Sequence, residues 1–235
     1  MIDAATFADL YNAFWRSATP TCELFVRRMN LGELNRFDVP MKPNSTTKSP
    51  ALVAEAGFSA FVISEDRPEL KKHPDKLLDI AITDSRIRLQ AFKGDKVDLD
   101  QDFSDADRKD ALTLFSRLAF FFQARREKIV TRPRFPGCGF VDSSEGDVLS
   151  GGTLFEIKSV ERGFRSADIH QLITYYCLSI SAGDASINSL GLINPKRGLS
   201  FEIDVNNLCR EIAGVGASEL SNEVVMALSS GDISR

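Results

Sequence analysis

The stretch from Gly146 to Val160, GDVLSGGTLFEIKSV, constrains this chain more than any other. Two successive glycines between short runs of alternating character mark a two-residue hairpin turn. Such a turn needs positive φ at its central residues, which glycine adopts without steric cost. With Gly151 and Gly152 at the bend, the pairing is fixed: Ser150 faces Thr153, Leu149 faces Leu154, Val148 faces Phe155, and Asp147 faces Glu156. Opposed residues share one face of a sheet. Lys158, two residues beyond Glu156, falls on that face as well. The spacing predicts that Asp147, Glu156 and Lys158 converge, while Val148, Phe155 and Ile157 turn to the other side.

Facing carboxylates repel unless a positive charge lies between them. A divalent cation with a preference for oxygen supplies that charge, and Mg²⁺ is typically held by one or two carboxylates plus phosphate oxygens. The main-chain carbonyl of Ile157, between Glu156 and Lys158, offers a further ligand. A lysine at such a site can orient or deprotonate an attacking water and stabilise developing charge. The metal activates the water and polarises the phosphoryl group. These parts sum to phosphodiester hydrolysis. Glu-x-Lys alone is also an ordinary pair on an exposed strand; the acid across the turn distinguishes this pattern.

The segment SADIHQLITYYCLSI (166–180) reads as a helix capped by Ser166. Ile169, Leu172, Ile173, Tyr176 and Ile180 form its apolar stripe. Asp168, Gln171 and Tyr175 lie on another face, where Gln171 and Tyr175, four apart, can jointly reach a carboxylate, a water or a phosphate. Arg162 and Arg165 after the motif strand, and Lys196 and Arg197 in the turn PKRG (195–198), are candidate phosphate contacts. A charged surface turn is the plain alternative. His73 sits in an exposed KKHPDK context. His170 either faces the site or packs.

Elsewhere, Asp3 caps a helix to about Ser17 with Phe7, Leu10, Tyr11 and Phe14 on one face, and a second helix runs from Thr21 to about Met29. Residues 38–50 read as a loop, 50–64 and 75–92 as helices, and 93–103 as a charged connection. Ser104 opens a helix to about Lys128, with Leu112, Phe115, Leu118, Ala119 and Phe122 in helical period. Residues 186–194 and 199–204 read as strands, and 204–213 and 218–228 as helices. From 104 onward the order is helix, strand, hairpin, helix, strand, strand, helix, helix. This is an α/β domain over 104–235, with a mostly helical region over 1–103 packed on it.

The stretch 137–175 resembles the PD-(D/E)xK nuclease superfamily, and within it the RecB-type, lambda-exonuclease-like branch. The residues that carry the resemblance are GDVL (146–149), FEIK (155–158) and QLITY (171–175), the last matching Q-x-x-x-Y. The resemblance implies a restriction-endonuclease-like core of helix, three-stranded meander, helix and strand. It implies that Asp147 and Glu156 hold Mg²⁺ or Mn²⁺, that Lys158 assists the water, and that Gln171 and Tyr175 support the site or a DNA strand. Gly146 stands in place of the family's proline. GFVD (139–142) resembles the G-x-x-D of RecB-type sites, so Asp142 competes with Asp147 or joins it as a metal ligand; the hairpin register favours Asp147. Some members add a Glu or His from the preceding helix; Glu127, near the end of that helix, and Glu55, in an earlier one, are both candidates. The expected activity is that of a Mg²⁺-dependent deoxyribonuclease serving restriction, phage defence or recombination. A catalytically inactive binding module and an RNase on the same fold are the alternatives.

The 235 residues are 43% hydrophobic and 26% charged, which suits one globular domain with a helical elaboration. Net charge is −4, but it is unevenly spread: 98–107 holds five aspartates and no base, and 125–134 holds five basic residues and one acid. An acidic chain does not grip DNA through net charge, so a protein partner or a homo-oligomer is expected to supply affinity. No phosphate-binding P-loop points to ATP, and no G-x-S-x-G points to a serine hydrolase. No apolar run approaches a membrane span, and the N-terminus lacks a basic, then apolar leader, so a cytoplasmic protein is expected. Cys22, Cys138, Cys177 and Cys209 are too widely spaced for a zinc or iron–sulfur site and read as free thiols.

Overall fold

The computed structural model describes residues 1–44, 49–93 and 102–231. Most of the expected connection over 93–103, and part of the loop over 38–50, lie outside the described residues. The chain forms two compact units. One comprises residues 1–36, 128–194 and 199–235; the other comprises 37–127 and 195–198. These units do not follow the expected boundary between 103 and 104.

The first unit is built on the hairpin. Strands β5 (Val148–Ser150) and β6 (Thr153–Ile157) pair antiparallel in the predicted register, Val148 with Phe155, Leu149 with Leu154 and Ser150 with Thr153. Both turn glycines have positive φ, 57° at Gly151 and 85° at Gly152. After β6 the chain crosses through helix α7 (Ser166–Ser181) and returns as β7 (Ser189–Asn194), which runs parallel to β6. A helical crossover is what a parallel neighbour requires. β8 (Leu199–Asp204) then pairs antiparallel with β7. With β1 (Asn35–Arg36) and β2 (Ile129–Thr131) at the edges, the result is a mixed six-stranded sheet in the order β1-β8-β7-β6-β5-β2. β3 (Arg134–Phe135) and β4 (Ser144–Glu145) form a separate two-stranded ribbon. The unit is therefore α/β.

Helices α1 (Ala4–Leu10), α2 (Asn12–Ala18) and α3 (Cys22–Arg28), together with α8 (Val205–Ala213) and α9 (Ala217–Ser230), complete the unit. Asp3 caps α1 as expected, accepting the Thr6 N–H at 2.6 Å. The single helix expected through Ser17 is broken at Tyr11, whose ψ of 52° is not helical. The break lets the Trp15 indole N–H reach the Phe7 carbonyl at 3.2 Å. Trp15 is buried with Phe7 and Tyr11, whereas Leu10 is exposed. α7 buries more than the expected stripe. Ile169, Leu172 and Ile173 are in the core, but so are His170, Gln171, Thr174 and Tyr175, while Tyr176 and Ile180 are only half-buried. Its N-cap is Arg165, not Ser166: the Asp168 carboxylate accepts the Arg165 N–H at 2.8 Å.

The second unit is helical. α4 (Pro50–Asp66), α5 (Pro74–Lys93) and α6 (Asp105–Arg125) pack on one another around Val53, Ala56, Leu78, Ile82, Ala111 and Leu114. Ser104 opens α6 with a capping box completed by Asp107. The helix stops at Arg125, where Arg126 turns left-handed at φ 56°, short of the expected Lys128. α6 thus belongs with α4 and α5, and residues 1–36 belong with the sheet. Among the described residues no helix is long and apolar enough to cross a membrane.

Gly191 is opposite Phe155 in the parallel pair, and a Cβ there would lie 2.3 Å from the Phe155 ring. Both strands are internal to the sheet, so neither can step aside cheaply. Gly191→Ala is expected to cost about 1–3 kcal/mol by overpacking. Urea unfolding checks this as a lower midpoint with an unchanged slope.

Candidate active site

The paired register ends at Val148 and Phe155, and Asp147 and Glu156 are the next residues outward on the two strands. The Asp147 carboxylate curls onto the opposite strand and accepts the Ile157 N–H at 2.6 Å. The neighbouring Lys158 N–H points to β7, where it bonds to the Ile193 carbonyl at 2.8 Å. Successive strand residues direct their main-chain groups to opposite edges, so the Ile157 carbonyl points to the side on which Asp147 stands.

Glu156 is 5% exposed. One of its oxygens, Oε1, accepts from Lys158 Nζ at 2.8 Å; the other, Oε2, is buried without a hydrogen-bond partner. A buried carboxylate oxygen left unpaired is costly. Lys158 Nζ also donates to Gln171 Oε1 at 2.9 Å. An ammonium only donates, which orients the amide: its oxygen faces Lys158 and its nitrogen faces away. Gln171 Nε2 then donates to the Tyr175 hydroxyl at 2.8 Å. Tyr175 stacks on Phe135 with ring centroids 5.4 Å apart. Asp147, Glu156, Lys158, Gln171 and Tyr175 are therefore gathered, two from the hairpin ends, one just past β6, and two from α7.

The electrostatics assign protonation states. Burial pulls the Lys158 pKa down, but the charges of Glu156, Asp168 and Asp147 outweigh it and leave it above the ordinary value. These charges favour the protonated form of Lys158, the form that can orient and stabilise. Burial, then the charges of Glu156 and Asp147, push the Tyr175 pKa well above the usual phenol value. Tyr175 is a neutral hydrogen-bonding group.

The oxygens able to hold a cation are those of Asp147 and Glu156, with the Ile157 carbonyl beside them. Their chemistry suits a hard divalent ion, and the unpartnered Glu156 Oε2 is the observation that fits it. Asp142 does not complete a third carboxylate: among the described residues no group of three or more His, Cys, Asp or Glu side chains gathers as a metal cluster. Its N–H is bonded to the Ile2 carbonyl at 2.8 Å. Glu55 and Glu127 belong to the helical unit.

Arg162, expected at phosphates, grips Asp168 with both guanidinium nitrogens, at 2.8 and 3.1 Å. Asp168 is 3% exposed and lies 3.8 Å from Lys158 Nζ. Neither the pairing nor the importance of Asp168 was legible from sequence, because the partners sit in a loop and on a helix with no shared periodicity. Arg165 is exposed. With Lys158, Arg162, Asp168 and Gln171 it lines a groove of about 390 Å³ whose lining also includes Asp3 and Asp9. The turn carrying Lys196 and Arg197 belongs to the helical unit, where Arg117 donates to the Pro195 carbonyl at 2.8 Å.

His170 packs. Its ring stacks on Trp15 at 4.3 Å between centroids, and Nε2 lies 3.0 Å from the Thr19 hydroxyl. All four cysteines are free, and burial raises the Cys22 and Cys209 thiols to about 12. No family model and no curated protein matches this chain.

Burial lowers the His170 pKa from 6.5 to about 4. The unfolded chain therefore binds the extra proton first as pH falls. The neutral ring's contribution is whole above pH 6.5 and is lost progressively down to about pH 4, a swing of roughly 3 kcal/mol. Urea unfolding across that range should show His170→Gln with a correspondingly flatter dependence of stability on pH than the wild type.

Proposed function

We propose that this protein is a metal-dependent nuclease that hydrolyses DNA phosphodiester bonds, on a PD-(D/E)xK-like core. The observation that carries the reading is Glu156: a buried carboxylate with one oxygen on Lys158, the other without a partner, and Asp147 across the turn. The element order of hairpin, α7 and β7 supports the resemblance on which the family assignment rests.

Asp147, Glu156 and the Ile157 carbonyl would hold Mg²⁺ or Mn²⁺. When bound, such an ion lowers the pKa of a water and offsets charge on the phosphoryl oxygens. Lys158 donates to the attacked phosphate or the attacking water, and its fixed positive charge stabilises the charge that develops. Gln171 holds the Lys158 amine from α7, and Tyr175 holds Gln171 in turn. Arg165 offers an exposed contact to a neighbouring phosphate in the groove.

The decisive experiment incubates the protein with plasmid, linear duplex, single-stranded DNA and RNA in Mg²⁺, Mn²⁺ or EDTA. Cleavage of DNA with either metal and none with EDTA is expected. Lys158→Ala should lower turnover by about 10²–10³ while Mn²⁺ binding, followed calorimetrically, persists. Asp147→Ala should lose the Mn²⁺ signal. Mn²⁺ binding without cleavage of any polymer would identify a non-catalytic module, cleavage of RNA alone an RNase, and absence of Mn²⁺ binding would remove the reading altogether.

A further inference from the structure

Lys158 has three ammonium protons and stands among three carboxylates. Lys158 Nζ donates one hydrogen bond to Glu156 at 2.8 Å and another to Gln171 at 2.9 Å, and Asp168 Oδ1 lies 3.8 Å away. Two of those carboxylates, Asp147 and Glu156, are the oxygens that would turn to a cation. Their charge is then shared with the metal and no longer holds the lysine. Asp168 is the remaining acid, and it is not free to turn. Arg162 clamps both of its oxygens, and the Arg165 N–H binds Oδ2 at 2.8 Å. It projects from the first turn of α7, the same helix that carries Gln171 one turn further on.

We infer that Asp168, braced by Arg162, is a positioning residue that holds the Lys158 ammonium at the site when Asp147 and Glu156 are engaged by a metal ion. Arg162 is thereby a strut of the site rather than a contact to substrate. A fixed buried carboxylate at this distance attracts the ammonium without capturing it, which leaves Lys158 protons available to the substrate. The inference rests on the nuclease reading for its consequence in turnover, but not for its consequence in the lysine's order.

The test uses the full chain with 13C-labelled lysine side chains and the variant Asp168→Asn, whose amide oxygen can still accept the Arg165 N–H. Relaxation of the Lys158 ε-carbon is measured without metal and with Mg²⁺. The wild-type side chain should stay ordered in both. In Asp168→Asn it should loosen toward the behaviour of exposed Lys72, most in the presence of Mg²⁺. Turnover should fall by about 10- to 100-fold, the usual effect of losing a group that orients a metal-site residue, with KM changed less than about two-fold. In a Lys158→Ala background the same substitution should have no further effect on turnover. Should Asp168→Asn fail to fold, Arg162→Gln serves in its place; it keeps the carboxylate but frees it, and should loosen Lys158 in the same direction. Undiminished order of Lys158 in the variant that folds overturns the inference, as does an equal loss of turnover with and without Lys158. A wild type that cleaves nothing defeats the nuclease reading only, and the relaxation measurement still decides the role of Asp168.

Discussion

The positive φ of two adjacent glycines governs the site. Gly151 and Gly152 allow β5 and β6 to meet after a bend of two residues, and every pairing on either side follows from that length. A slip of one position would send the acids to opposite faces, because side chains alternate along a strand. The turn fixes more than the pair Asp147 and Glu156. It sets Leu154 on the face that joins the core with Ile169, Leu172 and Ile173 of α7. The helix therefore seats over the same face as the acids and delivers Gln171 and Tyr175 to them. One backbone constraint thus positions side chains from two elements.

What the turn brings together is electrostatically incomplete. Glu156 and Asp168 are almost wholly buried, Asp147 is half-buried, and Lys158 and Arg162 stand near them. Arg162 is spent on Asp168, and Lys158 answers Glu156 through one carboxylate oxygen only. The raised Lys158 pKa and the unpartnered Glu156 Oε2 are two expressions of one imbalance. Folded cores seldom leave a buried carboxylate oxygen unanswered unless something else supplies positive charge. On the proposed reading a divalent cation does so.

The hairpin was legible because its determinants are local: a glycine pair, alternation, and a strand short enough to leave one register. α7 and the strands β7 and β8 were legible for similar reasons. What escaped depends on distant partners. Tyr11 breaks a helix that its own sequence would continue, since Trp15 gains the Phe7 carbonyl by the break. The helix 105–125 looks from its order like the opening of the sheet unit, but its apolar face fits α4 and α5. Asp168, Gln171 and Tyr175 read as a face of α7 apart from its apolar stripe, yet all three are buried, and α1 and the sheet pack on the helix. Arg162 read as a candidate phosphate contact, and its bond to Asp168 escaped because periodicity says which face a residue occupies, not which charge meets it there.

The charges around the groove bear on how it could recognise anything. Lys158, Arg162 and Arg165 stand against Asp3, Asp9 and Asp168. With Asp147 and Glu156 behind Lys158 the acids outnumber these cations, so no net positive field draws in a polyanion from a distance, and ionic strength screens what remains beyond about 10 Å. Recognition there rests on where the donors point. Arg162 is already satisfied by Asp168, and Lys158 is braced by Glu156 and Gln171. A phosphate entering the groove therefore meets donors whose directions are set before it arrives, and the cost of arranging them has been met in folding rather than at binding.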